Sequence, residues 1–130
     1  MKELNKNTVS KKEHPVRILQ FGEGNFLRAF VDWMIEGANR QGIMDHSVAA
    51  VQPIAGGERI EEIFRAQDCM YHVVLEGIRD KKPIREVSLV QSIAEINNPY
   101  REYERYEALF LNAELAMIVS TTTDAGIRYI

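Results

Sequence analysis

One run, VRILQFGEGN (Val16 to Asn25), constrains the chain more than any other. Val16 to Phe21 is short, apolar and β-prone, and its apolar residues do not alternate cleanly. That pattern predicts a strand buried on both faces. Gly22-Glu23-Gly24 breaks it, and Asn25 is a residue type that caps helices. Phe26, Phe30, Trp33, Met34 and Gly37 then recur at steps of three and four, which predicts an apolar helix face turned to the core. Arg28, Asp32, Glu36 and Arg40 fall on another face, as Arg28–Asp32 and Glu36–Arg40 pairs at i,i+4. Gly42 is the predicted stop.

The rest of the chain repeats this alternation. Ser47 to Gln52 reads as a second strand, ended by Pro53 and the Gly56-Gly57 pair. Ile60, Ile63 and Phe64 predict a short helix. YHVVLEGI and IREVSLVQSI, joined by RDKKP, predict a β-hairpin or two neighbouring strands. Asn97-Asn98-Pro99 reads as a helix start, with Tyr103, Tyr106, Phe110 and Ala113 at helical spacing after it. Leu115 to Ser120 is another buried-strand run, followed by TTTDAGIRYI. The expected fold is α/β: a Rossmann-like, doubly wound, mostly parallel sheet with a β-hairpin element. Residues 1–15 are expected to be a flexible, solvated tail ending at Pro15, and 16–130 a single domain.

A strand that turns through Gly-x-Gly into a helix suits phosphate binding. The first glycine permits the bend, the second lets backbone approach a diphosphate, and the helix N-terminus presents free N–H groups. Gly22 and Gly24 fit these two places. Leu27 stands where a third glycine is common, and Gln52 stands where a ribose-binding acid is usual, so the turn alone leaves NAD and NADP open. The plain alternative is a loop turn with no ligand. Arg28 has two readings, an ion pair with Asp32 or a phosphate contact.

Composition removes other classes. A net charge of −3 gives no broad attraction to nucleic acid or anionic membrane. No apolar run approaches a membrane span. The lone cysteine, Cys69, cannot form an internal disulfide and fits a reducing, cytoplasmic setting. His14, His46 and His72 have no partners at metal-ligand spacing. Glu61-Glu62 and REYERYE read as solvated helix faces, and Phe26, Phe30 and Trp33 as core.

The turn also resembles that of the long-chain polyol and sugar-acid dehydrogenases, the mannitol dehydrogenase family. Their pattern Gly-x-Gly-x-Phe-x-Arg-Ala is matched by Gly22, Gly24, Phe26, Arg28 and Ala29, so the absent third glycine is normal there. Ala50 to Ile54 and STTTDAGI (Ser120 to Ile127) agree in register. The resemblance implies an NAD-binding Rossmann domain, an N-terminal piece of a longer oxidoreductase that acts on a CH–OH group. Members most like this chain interconvert D-altronate and D-tagaturonate in hexuronate breakdown; mannonate- or mannitol-type substrates are the alternative within the family. The sugar acid would be met through a helical second domain carrying the catalytic lysine and its Asn and His companions, so no catalytic residue is assigned here. An exposed domain face would invite self-association. Assigned to the cofactor are Ile18, Leu19, Gln20, Phe21, Gly22, Glu23, Gly24, Asn25, Phe26, Leu27, Arg28 and Ala29, with Gln52, Thr122 and Ala125; no metal ligand is assigned. Outside the family stand a nucleotide-binding module without chemistry and, more weakly, an S-adenosylmethionine-dependent methyltransferase.

Overall fold

Val16–Phe21 forms strand β1, and Ile18, Leu19 and Gln20 along it are fully enclosed. The computed structural model describes residues 2–122 and 125–129. After β1 the chain turns into a helix whose first part, Leu27–Val31, is a π turn; it continues as α1, Asp32–Arg40. Then come β2 (Ser47–Val51), α2 (Glu58–Ala66), β3 (Tyr71–Arg79), β4 (Lys82–Val90), β5 (Ile93–Asn97), α3 (Tyr103–Leu109) and β6 (Met117–Ser120).

Four strands make one parallel sheet in the order β5-β2-β1-β6. Period-two alternation sends Ile18, Val48 and Ala50 to one face, where Ile35 of α1 and Phe64 of α2 cover them. Leu19, Ala49 and Val51 point to the other face, against Tyr106 and Leu109 of α3 and Leu115. Each large side chain enclosed this way contributes about 1.5–3 kcal/mol. The sheet is therefore covered on both faces, as the alternation of strands and helices predicts. β3 and β4 pair antiparallel as a separate two-stranded ribbon.

The structure departs from the sequence reading in several places, each with a physical cause. Three of the apolar residues expected on the core face of the first helix point outward: Phe26 is 61% exposed, Phe30 48% and Met34 44%. The buried stripe is Leu27, Asp32, Ile35, Glu36 and Asn39. Its first step is five residues, because the π turn inserts one residue into the helical register; a constant step of three and four predicts the wrong face. Asn25 is not the cap. The first intrahelical bond runs from Arg28 N–H to Gly24 C=O (3.0 Å), and the Asn25 Oδ1 accepts from the Arg28 guanidinium instead.

IREVSLVQSI is not one strand. Buried Ser92 interrupts it by donating Oγ–H to the Asp32 carbonyl (2.8 Å), after which β5 joins the parallel sheet beside β2. Pro99 is not the first residue of a helix. Asn98 closes a turn by accepting from Tyr100 N–H (3.0 Å), and α3 begins at Tyr103. β6 is a sheet edge with Met117 and Ile118 exposed, although its composition reads as buried. Glu61 is enclosed, bonded to the Asn98 amide (2.8 Å) and to Arg65 (2.9 Å).

Residues before β1 lie against the body. The Lys11 ammonium donates to the carbonyls of Asp68 and Ile93, both at 2.7 Å, and Lys12 N–H reaches Gln91 Oε1 at 3.0 Å. A charge run reads as solvated in a sequence; here the Lys11 ammonium satisfies one carbonyl just past α2 and one at the start of β5.

Candidate functional site

β1 and β2 run parallel, so their carboxyl ends open onto the same edge of the sheet. Gly22 N–H donates to the Val51 carbonyl (2.9 Å), which pins the turn to the neighbouring strand. Gly22 has φ +112°, a conformation that L side chains rarely adopt, and a Cβ there would stand 3.1 Å from Leu27 Cδ1. Gly24 differs. A Cβ built on it meets no atom within 4 Å, so neither space nor φ inside the protein demands glycine there. The N–H groups of Asn25, Phe26 and Leu27 precede the first intrahelical bond and lie at the positive end of the helix dipole.

Beneath the turn lies a buried polar clasp. Gln20 Nε2 donates both to the Gly22 carbonyl (3.1 Å) and to Asp32 Oδ2 (3.0 Å). Asp32 is fully enclosed; burial pushes its carboxyl up to about 7, opposed by the Gln20 bond and the Arg28 charge. Glu23, in the turn itself, is also buried. Its carboxyl is raised by desolvation, against a hydrogen bond from Gln52 and the charge of Arg28. Arg28 stacks over the Phe64 ring, 5.7 Å from its centre, and its carbonyl accepts from Tyr71 Oη (2.7 Å).

A cleft of about 440 Å³ opens at the same sheet edge, lined by Phe21, Val51, Gln52, Pro53, Pro99, Tyr100, Tyr103 and Tyr106. It is apolar and aromatic, with the Gln52 amide at its base. Gln52 is enclosed and donates Nε2–H to the Gly57 carbonyl (2.9 Å). A Cβ on Gly57 would fall 1.8 Å from that nitrogen, so the loop glycine is what admits the Gln52 side chain.

The residues assigned from sequence divide into three groups. Gly22, Glu23, Gly24, Asn25 and Phe26 form the turn and helix start, with Arg28 and Ala29 just behind. Phe21 and Gln52 line the cleft, and Phe21 is level with Ser120 on β6, so Thr122 leaves the sheet at this same edge. Ile18, Leu19, Gln20 and Leu27 are enclosed and support the turn from within. Ala125 is exposed in the loop after β6; Thr123 and Asp124 lie outside the described residues. Arg28 is not in an ion pair with Asp32; it bonds Asn25, whereas Glu36–Arg40 closes at 3.3 Å.

Pro53, Gly57, Pro99 and the three tyrosines were not legible as site residues. Proline and glycine signalled loops, and the tyrosine spacing signalled a helix, but nothing local says that the three segments meet. Among the described residues no group of three or more His, Cys, Asp or Glu side chains is placed to hold a metal ion, and no helix is long and apolar enough to cross a membrane.

A parallel sheet in this order, with a Gly-x-Gly turn and an aromatic cleft at its carboxyl edge, defines the dinucleotide-binding class of α/β domains. The chain belongs to the mannitol dehydrogenase Rossmann domain family, whose family model matches residues 16–130. Among curated proteins it is 42% identical over 129 residues to an altronate oxidoreductase of Phocaeicola vulgatus and 41% identical over 128 residues to that of Bacillus subtilis. These alignments cover 99% and 98% of the chain, and it spans 26% of the length of each relative. Among solved structures, a Pseudomonas fluorescens mannitol 2-dehydrogenase, in a ternary complex with NAD and D-mannitol, superposes with a TM-score of 0.79 at 17% identity. That match covers 92% of this chain and 26% of the other. A D-sorbitol dehydrogenase in substrate-free form gives a TM-score of 0.77, also at 17% identity, over 95% of this chain and 28% of the other. The Rossmann-like fold expected from the alternation is thus shared with both dehydrogenases.

Proposed function

We propose that this chain is the NAD-binding part of an oxidoreductase that interconverts D-altronate and D-tagaturonate. The observation that carries the reading is Gly24: the folded chain itself does not need a glycine there, and a diphosphate approaching the helix start does. The turn N–H groups would hold the diphosphate, and the cleft from Phe21 to Tyr106 would hold the adenosine. None of the residues lining that cleft is cationic, which favours NAD over NADP, whose extra phosphate calls for an arginine or lysine. Bound there, NAD(H) supplies or accepts the hydride. The sugar acid is assigned through the altronate oxidoreductases that the chain resembles, and the lone buried Cys69 accords with a cytoplasmic setting.

Fluorescence titration with NADH tests the reading. Saturable binding to the wild-type chain is expected, with much weaker binding of NADPH. Gly24→Ala should leave stability within about 0.5 kcal/mol and reduce NADH affinity at least about tenfold, because its methyl group occupies the diphosphate approach. No saturable binding, or unchanged binding by Gly24→Ala, overturns the proposal. Substrate is tested by substituting this chain for the matching segment of Bacillus subtilis altronate oxidoreductase. Retained NAD-dependent oxidation of D-altronate, rather than of D-mannonate or D-mannitol, is the expected outcome.

A further inference from the structure

Two carboxyl groups bracket the glycine turn. Glu23 lies within it, and its Oε2 is buried without a hydrogen-bond partner. Asp32 is tied to the Gly22 carbonyl through Gln20, and its Oδ1 is likewise buried and unpartnered, as is Gln20 Oε1. An ionised carboxylate accepts several hydrogen bonds; these two have fewer than the ionised form requires. A site meant only for anions would keep buried acids away from the helix N-terminus. This one carries Glu23 in the turn and ties Asp32 to the Gly22 carbonyl through Gln20.

We propose that the turn is a proton-coupled anion site: when a dinucleotide diphosphate binds at residues 22–26, the buried Glu23 and Asp32 carboxyls take up protons from solvent. The proposal rests on the dinucleotide reading above. Two negative phosphates brought against enclosed carboxylates raise the cost of keeping those carboxylates ionised, and a proton on each removes the repulsion. The other groups facing the pair leave this direction unchanged. Among the described residues Arg28, on the same helix, is the one cation acting on both; it bonds Asn25 and lies over the Phe64 ring, and its Nε is buried without a partner. Glu61 of α2 adds a like charge beside Glu23. Burial, and then the charges of Asp32 and Glu36 against that of Arg28, hold the phenol of Tyr71 on β3 protonated. Burial already lifts both acids, Asp32 to about 7, so the share of the uptake that Asp32 contributes falls near neutral pH.

By linkage, uptake of one proton makes NADH affinity fall about tenfold for each pH unit over the titration window. Isothermal titration of the wild-type chain with NADH, near neutral pH in two buffers of different ionisation enthalpy, counts the protons directly and needs no variant. Net uptake on the order of one proton per NADH is expected. Asp32→Asn and Glu23→Gln keep the shape of each side chain and cannot ionise; each should lower the proton count and flatten the dependence of affinity on pH. NADH binding with no proton uptake overturns this inference and leaves the proposed function standing, as does full uptake retained in both variants. Absence of NADH binding at every pH overturns the two together.

Discussion

A methyl group on Gly57 would stand 1.8 Å from Gln52 Nε2 and 2.2 Å from its Cδ, so the Gln52 side chain has to leave. The open direction is the cleft it lines. Gly57→Ala should therefore destabilise by about 1 kcal/mol, from the lost bond to the Gly57 carbonyl, and weaken NADH binding by filling the cleft; urea unfolding and NADH titration measure the two effects. Asp32 sets a second expectation. Its folded-state value, about 7, lies above the ordinary 3.8, so between these the folded chain holds a proton that the unfolded chain has released. The contribution of Asp32 to stability is then greatest at the acid end of that window and falls as pH rises towards 7, by at most about 1.4 kcal/mol per pH unit. Asp32→Asn removes this dependence, and urea midpoints across the window should show the variant gaining on the wild type as pH rises. At this scale Gly22 and Gly24 were legible, because a backbone turn is a local demand. Glu23, Asp32 and Gln20 were not legible as a group: their coupling depends on enclosure, which no spacing encodes.

Among the elements, the first helix shows how one inserted residue changes a face. Leu27, Asp32, Ile35, Glu36 and Asn39 are buried because the π turn adds a residue before α1. Phe26 and Phe30 pack on each other instead, 5.1 Å between ring centres, on the outside. Deleting a residue from the π turn should restore an unbroken α register and push Asp32 off the Gln20 clasp. The β3–β4 ribbon is the contrasting case. It was legible from its turn and its β-prone runs, and its outer half, residues 76–87, is largely exposed. Its cross-strand pairs, Arg79–Glu86 at 2.9 Å and Arg85–Glu76 at 3.1 Å, are exposed and contribute only about 0–1 kcal/mol each. A two-stranded ribbon alone is marginal in water. Amide hydrogen exchange should find residues 76–87 opening far more readily than residues 18–20 and 48–51, which exchange only through global unfolding.

For the whole molecule, the sheet order β5-β2-β1-β6 puts the ends of β1, β2 and β6 at one edge. The π turn leaves Phe26, Phe30 and Met34 as an exposed apolar strip. Strips of this kind drive association; sedimentation over a concentration series should show weak self-association that Phe30→Gln reduces, with unfolding midpoints unchanged. The strand–turn–helix unit, the alternation of strands and helices and the ribbon follow from short-range chemistry: β-prone runs, turn residues and helical spacing within a few positions. Only the tertiary structure decided that the segment after Ser92 pairs with β2, that β6 is an edge, and that Gln52, Pro99, Tyr100, Tyr103 and Tyr106 line one cleft. Those outcomes depend on which surfaces meet across long stretches of chain and on how much water is excluded when they do, and a local pattern carries no measure of either.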